Sequence, residues 1–219
     1  MKHISHVLLL IACILPSVSF AAEGTFVVGT ASGYAPYVSL NEKGEYEGFD
    51  IDIAHRLAEK LNTKLVLKDF GNMPSLLIAL QKKKVDAVIW AVSITPERQK
   101  AMTMIYYQGE NETHLPFLFW KKVPEGIAKI EDFAKQPNRV ICVEAGSFQD
   151  HILQTYPTLQ LRCLDKIADA IMDLKYGKAF ATVADSSLVR RLKSQYPEVQ
   201  SLTGFLKLLT GLAVVVQVY

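Results

Sequence analysis

The sequence predicts an α/β protein of two lobes, each an open and mostly parallel sheet flanked by helices. Short apolar runs rich in β-branched residues alternate with amphipathic segments along most of the chain, which is typical of α/β folds. A polar stretch, 106–114, divides this alternation into two series, each smaller than a typical domain. Of the 219 residues, 50% are hydrophobic, which is enough to form one or two cores.

In the first series, a predicted strand is followed by a predicted helix three times. Its third strand, 85–92, is a short, continuous apolar run of the kind found in buried strands. Its first helix has an apolar face that includes Ile51, Ala54 and Leu57, and its second helix opens with Pro74. The predicted strands are 25–31, 64–70 and 85–92, and the predicted helices are 50–61, 74–84 and 96–105.

The second series repeats the alternation. We predict strands at 115–120, 138–146, 159–164 and 179–185, and helices at 130–137, directly after Gly146, and at 167–177. In open parallel sheets, ligands bind beyond the carboxyl ends of the strands. The candidate site stretches of both series are therefore 31–34, 93–98, 146–149 and 185–187. Together they supply an aromatic ring, a cation, free backbone N–H groups and an anion.

One of these stretches places a cation where a helix disfavours it. Thr95 followed by Pro96 predicts a helix that begins at Pro96, with Thr95 as its N-cap. Arg98 then lies in the first turn, where the helix dipole favours anions. This position is explained if Arg98 meets an anion there. The alternative is a surface arginine with a solvated head.

The first 21 residues predict an export signal. Lys2 is positively charged, 7–15 is an apolar run too short to span a membrane, and the small residues Ser19 and Ala21 predict cleavage before Ala22. In a second interpretation, 10–13 is a lipoprotein motif and Cys13 is acylated. Either processing event places the protein outside the cytoplasm, as a periplasmic or a lipid-anchored protein.

Charge and cysteine content argue against several classes of partner. The net charge is +2, so nothing indicates binding to nucleic acid or to an anionic membrane. Cleavage before Ala22 leaves Cys142 and Cys163, whose spacing matches no metal-binding motif. They are either two buried thiols or, in an oxidising compartment, a disulfide. We expect no metal and no cofactor.

Four segments resemble one known family. They are "GTASGYAPY" (29–37), "GEYEGFDIDIAHRLAEKL" (44–61), "IALQKKKVDA" (78–87) and "SITPER" (93–98), and they are similar to the polar amino-acid family of extracellular solute-binding proteins, which serve ABC importers. Within this family the chain is most similar to arginine- and glutamine-binding members. The segment "MIYYQGENETHLPF" (104–117) resembles the arginine-binding type.

The resemblance implies a type II periplasmic-binding-protein fold, in which two α/β lobes close over an amino acid like a flytrap. It implies lobes at 22–110 and 111–203, with 204–219 as a strand that returns to the first lobe. Relatives continue for another helix or two, so the usual C-terminal helix is expected to be missing. The implied partners are an arginine- or glutamine-like amino acid and the permease of an ABC transporter, and we expect a monomer.

The family pattern implies roles for residues of both lobes. Arg98, in "SITPER", corresponds to the residue that binds the ligand α-carboxylate, and Ser93 assists it. The Ala91 carbonyl and Asp185 correspond to groups that bind the α-ammonium. Tyr34 corresponds to the aromatic residue that covers the ligand. The alternatives are that Tyr34 packs in the first core and that Asp185 only caps the next helix.

The segment "GSFQD" (146–150) matches the Gly-Ser/Thr-x-Gln turn of the family. The match implies that the backbone N–H groups of Ser147 and Phe148 hold the carboxylate at a helix N-terminus. Gln149 belongs to the same turn and is included in the predicted site.

Three positions depart from the family pattern. Ala31 stands where members that bind basic side chains often have aspartate, Trp90 stands where relatives have small residues, and Phe148 replaces Thr or Ser. The pocket is therefore expected to be more aromatic, and the identity of the amino acid stays open. Asp50 and Asp52 belong to the family signature, but we interpret them as carboxylates that suit a helix start rather than as ligands of the amino acid.

Capture of a polar or basic amino acid for an ABC importer is the leading interpretation, and the protein is predicted not to be an enzyme. One alternative is a dehydratase, because some relatives on this scaffold dehydrate cyclic precursors of phenylalanine. Another is a sensor or adhesin that keeps the fold. The histidines of the mature chain, His55, His114 and His151, lie outside the predicted site loops, which favours binding over chemistry.

Overall fold

The computed structural model describes residues 24–107, 112–204, 207–210 and 212–216. The predicted export signal and the alternative acylation site, Cys13, lie outside these residues. The described chain forms two α/β lobes, each with one five-stranded sheet flanked by helices. Within the described ranges, no helix combines the length and the apolar character needed to cross a bilayer.

The elements follow the predicted alternation closely. The described strands are β1 (Thr25–Thr30), β2 (Ser39–Leu40), β3 (Tyr46–Glu47), β4 (Lys64–Asp69), β5 (Ala87–Ser93), β6 (Thr103–Tyr106), β7 (Glu112–His114), β8 (Phe117–Trp120), β9 (Val140–Glu144), β10 (Gln160–Leu164), β11 (Ala181–Val183), β12 (Val199–Leu202), β13 (Lys207–Thr210) and β14 (Leu212–Val216). The described α-helices are α1 (Phe49–Lys60), α2 (Met73–Gln81), α3 (Pro96–Ala101), α4 (Phe148–Leu153), α5 (Ile167–Lys175) and α6 (Ser186–Gln195), and a 3₁₀ helix covers Ile130–Lys135.

The first sheet has the strand order β4-β1-β5-β14-β6. β1 pairs in parallel with β4 and β5, whereas β14 is antiparallel to both of its neighbours, β5 and β6. Every residue of β5 is buried, because its side chains alternate between two clusters. Ala87 and Ile89 pack in the cluster that contains Ala54 of α1, and Val88 and Trp90 pack in the cluster that contains Leu76 of α2. The predicted buried strand is confirmed, and helices cover both of its faces.

The second sheet has the strand order β10-β9-β11-β8-β12. β9 is parallel to β10 and β11, and β8 is antiparallel to β11 and β12. The chain passes between the sheets twice, from β6 to β8 and from β12 to β14. The strands β7 and β13, one on each passage, pair with each other in antiparallel. The lobes are thus joined by two connections that lie side by side.

One predicted helix is too long. The pattern at 96–105 predicts a single helix, but α3 ends at Ala101 and β6 begins at Thr103. Met102, between them, has extended backbone angles of φ −154° and ψ 155°. β6 is a strand because β14, far along the chain, pairs with it, and such pairing overrides local helical periodicity.

The disulfide alternative for Cys142 and Cys163 is wrong. The register of β9 and β10 offsets the two cysteines by one residue, so their side chains leave opposite faces of the sheet. The sulfur of Cys142 lies 3.7 Å from the Asp173 carboxylate, and that of Cys163 lies 3.5 Å from the Asp150 carboxylate. Both thiols are free, and Cys142 is buried whereas Cys163 is exposed.

Thr95 caps α3 as predicted, because its hydroxyl oxygen accepts a hydrogen bond from the Arg98 N–H at 3.2 Å. Replacing Thr95 with alanine removes this acceptor, so we expect the free energy of unfolding to fall by about 1 kcal/mol. Urea unfolding followed by circular dichroism measures the change. Thr95→Ser keeps a hydroxyl and serves as the control. An alanine variant as stable as the serine variant would show that the cap contributes nothing.

Candidate ligand-binding site

The structure brings all nine predicted site residues together around one small cavity between the lobes. The first lobe contributes residues from the loop after β1, from β5 and from α3. The second lobe contributes the turn after β9 and the residue before α6. The cavity is lined by Tyr34, Met73, Trp90, Ala91, Ser93, Arg98, Glu144, Ser147, Phe148, Gln149 and Asp185. Met73 and Glu144 are the two that sequence reasoning missed.

Arg98 connects the two lobes. Its Nη1 donates a hydrogen bond to the Ser93 carbonyl at 2.8 Å, and its Nη2 donates to the Gly146 carbonyl of the second lobe at 2.9 Å. The side chain is partly buried, and this burial lowers the pKa of Arg98 without discharging it. The alternative of a solvated surface head therefore does not describe this arginine.

Asp185 lies on the second-lobe side of the cavity and is 9% exposed. Its carboxylate accepts hydrogen bonds from the Tyr34 hydroxyl and from the Gln149 side-chain amide. Asp185 is the N-cap residue of α6, but its side chain makes no capping hydrogen bond. The carboxylate is directed to the cleft groups instead, so the alternative of a purely capping role is wrong.

Tyr34 packs against the first core, which is one of the two interpretations proposed for it, and its role in covering the ligand stays a prediction. Its ring packs against the first core, with centroids 6.0 Å from Tyr37 and 5.4 Å from Trp90. Its hydroxyl crosses the cleft to Asp185. Burial and the charge of Asp185 raise the pKa of Tyr34, so the hydroxyl keeps its proton and acts as a donor.

Trp90 forms the wall beside Tyr34 and is 4% exposed. Its indole N–H is buried and has no hydrogen-bond partner among the described residues. A buried donor without an acceptor costs free energy.

The turn after β9 brings the second lobe against the first. Gly146 has φ +67°, and a Cβ at this position would lie 3.1 Å from Cγ of Pro74. Ser147 caps α4 by accepting a hydrogen bond from the Asp150 N–H at 3.0 Å. The Ser147 N–H, which the family pattern assigns to the ligand carboxylate, donates to the Glu144 carbonyl at 3.1 Å. In this structure that N–H is therefore engaged within the turn.

Glu144 is the second carboxylate of the cavity. It is the last residue of β9, two positions before the stretch that was predicted to bind. Burial, and then the nearby charges of Asp185 and Asp165, raise the pKa of Glu144 to about 8. Glu144 was missed because the predicted strand extended to Gly146, whereas β9 ends at Glu144.

Asp50 supports the site from behind. It is fully buried in the first turn of α1, and its carboxylate accepts hydrogen bonds from the Ala91 N–H at 2.6 Å and from the Tyr107 hydroxyl at 2.8 Å. Ala91 has φ +44°, a conformation that costs free energy for any residue except glycine. The interpretation of Asp50 as only a favourable helix start is therefore incomplete. Asp52, by contrast, is exposed.

Burial raises the pKa of Asp50 to about 6, which gives a prediction for stability against pH. The unfolded aspartate has a pKa of about 3.9. As the pH falls, Asp50 is therefore protonated in the folded state at a higher pH than in the unfolded state. The contribution of Asp50 to stability grows as the pH falls from about 6 to about 4. Urea unfolding of wild type and Asp50→Asn across this range measures it.

The stability of wild type relative to Asp50→Asn should rise on acidification. Asp52→Asn, at the exposed carboxylate on the same helix, is the control variant. A difference between wild type and Asp50→Asn that does not vary with pH would contradict the prediction.

The cavity encloses about 20 Å³, roughly the space of one water molecule. A second cavity of about 200 Å³ shares Arg98, Ser147 and Phe148 with it. An amino acid is larger than the first cavity, so its binding there requires the lobes to separate. The contacts of Tyr34 with Asp185 and of Arg98 with Gly146 must then break. The arrangement can hold a zwitterion, because the two lobes offer opposite charges.

Comparison with known proteins gives one consistent result. The family model for bacterial extracellular solute-binding proteins, family 3, matches residues 26–115. A probable ABC transporter arginine-binding protein from Chlamydia trachomatis serovar D is 31% identical over 180 residues, which cover 81% of this chain and 66% of that protein. ABC transporter arginine-binding protein 1 from Escherichia coli is 28% identical over 196 residues, covering 87% of this chain and 76% of that protein.

A solved structure is also similar. The arginine-bound form of truncated ArgBP from T. maritima has a TM-score of 0.77 and 25% identity, and the match covers 89% of this chain and 88% of that one. This chain spans 66% of the length of the chlamydial relative. The family match, the relatives and the two-lobed fold agree, and we conclude that the chain belongs to family 3 of the bacterial extracellular solute-binding proteins.

Proposed function

We propose that the protein binds an amino acid outside the cytoplasm and presents it to the permease of an ABC importer. The observation that carries this proposal is that Arg98 from the first lobe and Asp185 from the second line the same cavity. A free amino acid has a carboxylate and an ammonium on one carbon, so it would bridge the lobes through both groups. Such a ligand favours the closed state because it contacts both lobes at once.

The remaining site residues fit this role. Ser93 and Arg98 lie together on the first lobe, with the Ser93 carbonyl orienting the guanidinium. Tyr34 and Trp90 line the cavity with aromatic rings. The relatives named as arginine-binding proteins of ABC transporters support both the class of ligand and the class of partner.

Isothermal titration of the exported protein with each common amino acid tests the proposal. We expect saturable binding of at least one of them with one ligand per chain. Absence of binding to every amino acid would refute the proposal. Consumption of prephenate or arogenate by the protein would instead favour the dehydratase alternative.

A further inference from the structure

The cavity contains two carboxyl side chains and one cationic side chain among the described residues that line it. Glu144 and Asp185 line its second-lobe side, and Arg98 is the one cationic side chain among the described residues that line it. Asp185 accepts hydrogen bonds from Tyr34 and Gln149. No hydrogen bond to the Glu144 carboxylate is formed by any of the described residues. Glu144 is therefore the carboxyl group of the cavity to which no described residue donates a hydrogen bond.

The charges of an amino acid can be matched to these groups one by one. Under the proposed function, the ligand carboxylate pairs with Arg98 and the ligand ammonium pairs with Asp185. Glu144 then has no partner unless the ligand side chain supplies one. An unpaired carboxylate in a closed cleft is costly when charged and tends to take up a proton, whereas a cationic side chain stabilises its charged form.

We propose that Glu144 is the specificity-determining residue of the site: it pairs with the guanidinium or ammonium at the end of a basic amino acid and makes the site prefer basic over neutral ligands. This inference rests on the proposed function. The aromatic rings of Tyr34, Trp90 and Phe148 line the same cavity, and such rings also attract a cation. They supply a second interaction that a neutral side chain of equal length lacks.

The raised pKa of Glu144, about 8, gives the proposal a second readout. The groups that face Glu144 are Asp185 before α6, Asp165 between β10 and α5, and Tyr34 after β1, while Arg98 of α3 lines the same cavity. Near neutral pH, Glu144 is mostly protonated before binding. Because the ion pair requires the carboxylate, one proton leaves Glu144 for the buffer when a basic ligand binds. Affinity for a basic ligand therefore increases as the pH rises toward about 8.

Calorimetric titration with arginine and citrulline tests the inference, because citrulline has the same length but an uncharged ureido end. We expect wild type to bind arginine about tenfold more tightly than citrulline, or better. Glu144→Gln should lose that preference, with arginine affinity falling about tenfold and citrulline affinity changing less than about threefold. Titrations in two buffers of different ionisation enthalpy should show proton release with arginine for wild type and none for Glu144→Gln.

Two control variants distinguish a change in ligand preference from a general loss of structure. Glu198→Gln removes an exposed carboxylate from the same lobe and should keep the preference for arginine. Glu144→Asp keeps a carboxyl group and should retain part of the preference for arginine. The inference is overturned if wild type binds citrulline as tightly as arginine, or if Glu144→Gln keeps the wild-type preference. If no amino acid binds wild type, the proposed function fails, and this inference fails with it.

Discussion

Replacing Arg98 with alanine is expected to weaken binding by about 3 kcal/mol or more for every amino acid that the protein binds. The guanidinium is partly buried at the cavity and is already oriented by the Ser93 carbonyl. Its two-pronged geometry suits a carboxylate, and the closed cleft lowers the local dielectric constant. Without it, the ligand carboxylate would be desolvated and left without a cationic partner. Isothermal titration measures the change in dissociation constant.

Two variants make the Arg98 test specific. Arg98→Lys keeps the positive charge but loses the planar pair of donors, so it should bind measurably less tightly than wild type and more tightly than Arg98→Ala. Arg56→Ala removes an exposed arginine from α1 and should bind as wild type does. The loss should be similar across ligands, since all amino acids present the same carboxylate. Unchanged affinity in Arg98→Ala would refute its role.

Replacing Asp185 with asparagine is expected to weaken binding by about 2 kcal/mol or more. The substitution keeps the shape of the side chain, but the amide oxygen replaces only one of the two carboxylate oxygens that accept hydrogen bonds from Tyr34 and Gln149. It removes the negative charge that we propose for the ligand ammonium. The loss of affinity in Asp185→Asn should be similar for basic and neutral amino acids. In this it resembles the loss expected at Arg98 and differs from the loss expected at Glu144. Isothermal titration with both kinds of ligand measures it.

The control for Asp185 is Asp169→Asn, which removes an exposed carboxylate from α5 of the same lobe. It should leave affinity unchanged. Melting temperatures of both variants show whether the lobe is intact. Asp185 would be excluded as the ammonium partner if its asparagine variant binds as tightly as the Asp169 variant.

The sequence was sufficient for elements whose pattern is local. The buried strand β5 and the capped start of α3 were predictable because an apolar run and a Thr-Pro pair act within a few residues. The extent of α3 was not, because β6 is defined by its pairing with β14. The resemblance implied a strand that returns to the first lobe from 204–219, but no local pattern showed that it would pair antiparallel with β5 and β6.

Most of the candidate site was predictable because its residues follow strand ends, and parallel strands bring their carboxyl ends to one edge. Glu144 was missed because it belongs to the strand itself and has no partner in the local sequence. The second role of Asp50 was missed because its partners, Ala91 and Tyr107, are distant in sequence. The possible disulfide could be rejected only with the register of β9 and β10 known.

The interleaved path of the chain has a consequence for the order in which the lobes are completed after export. The second sheet is built from one continuous stretch, β8 to β12, so it can form as soon as that stretch has emerged. The first sheet cannot be completed until later, because β14, the last described strand, lies between β5 and β6. Until then these two strands have unpaired edges that can associate with other chains.

Inserting β14 closes a loop on the order of a hundred residues, which is slower than pairing neighbouring strands. We therefore expect the emerging chain to pass through a species with a finished second lobe and an unfinished first one. In that species Asp185 and Glu144 are already held by their lobe, whereas the sheet that carries Arg98 is incomplete. Under the proposed function, the cleft can bind only when β14 is in place, so we expect the exported chain to be most vulnerable to proteolysis and aggregation just before that step.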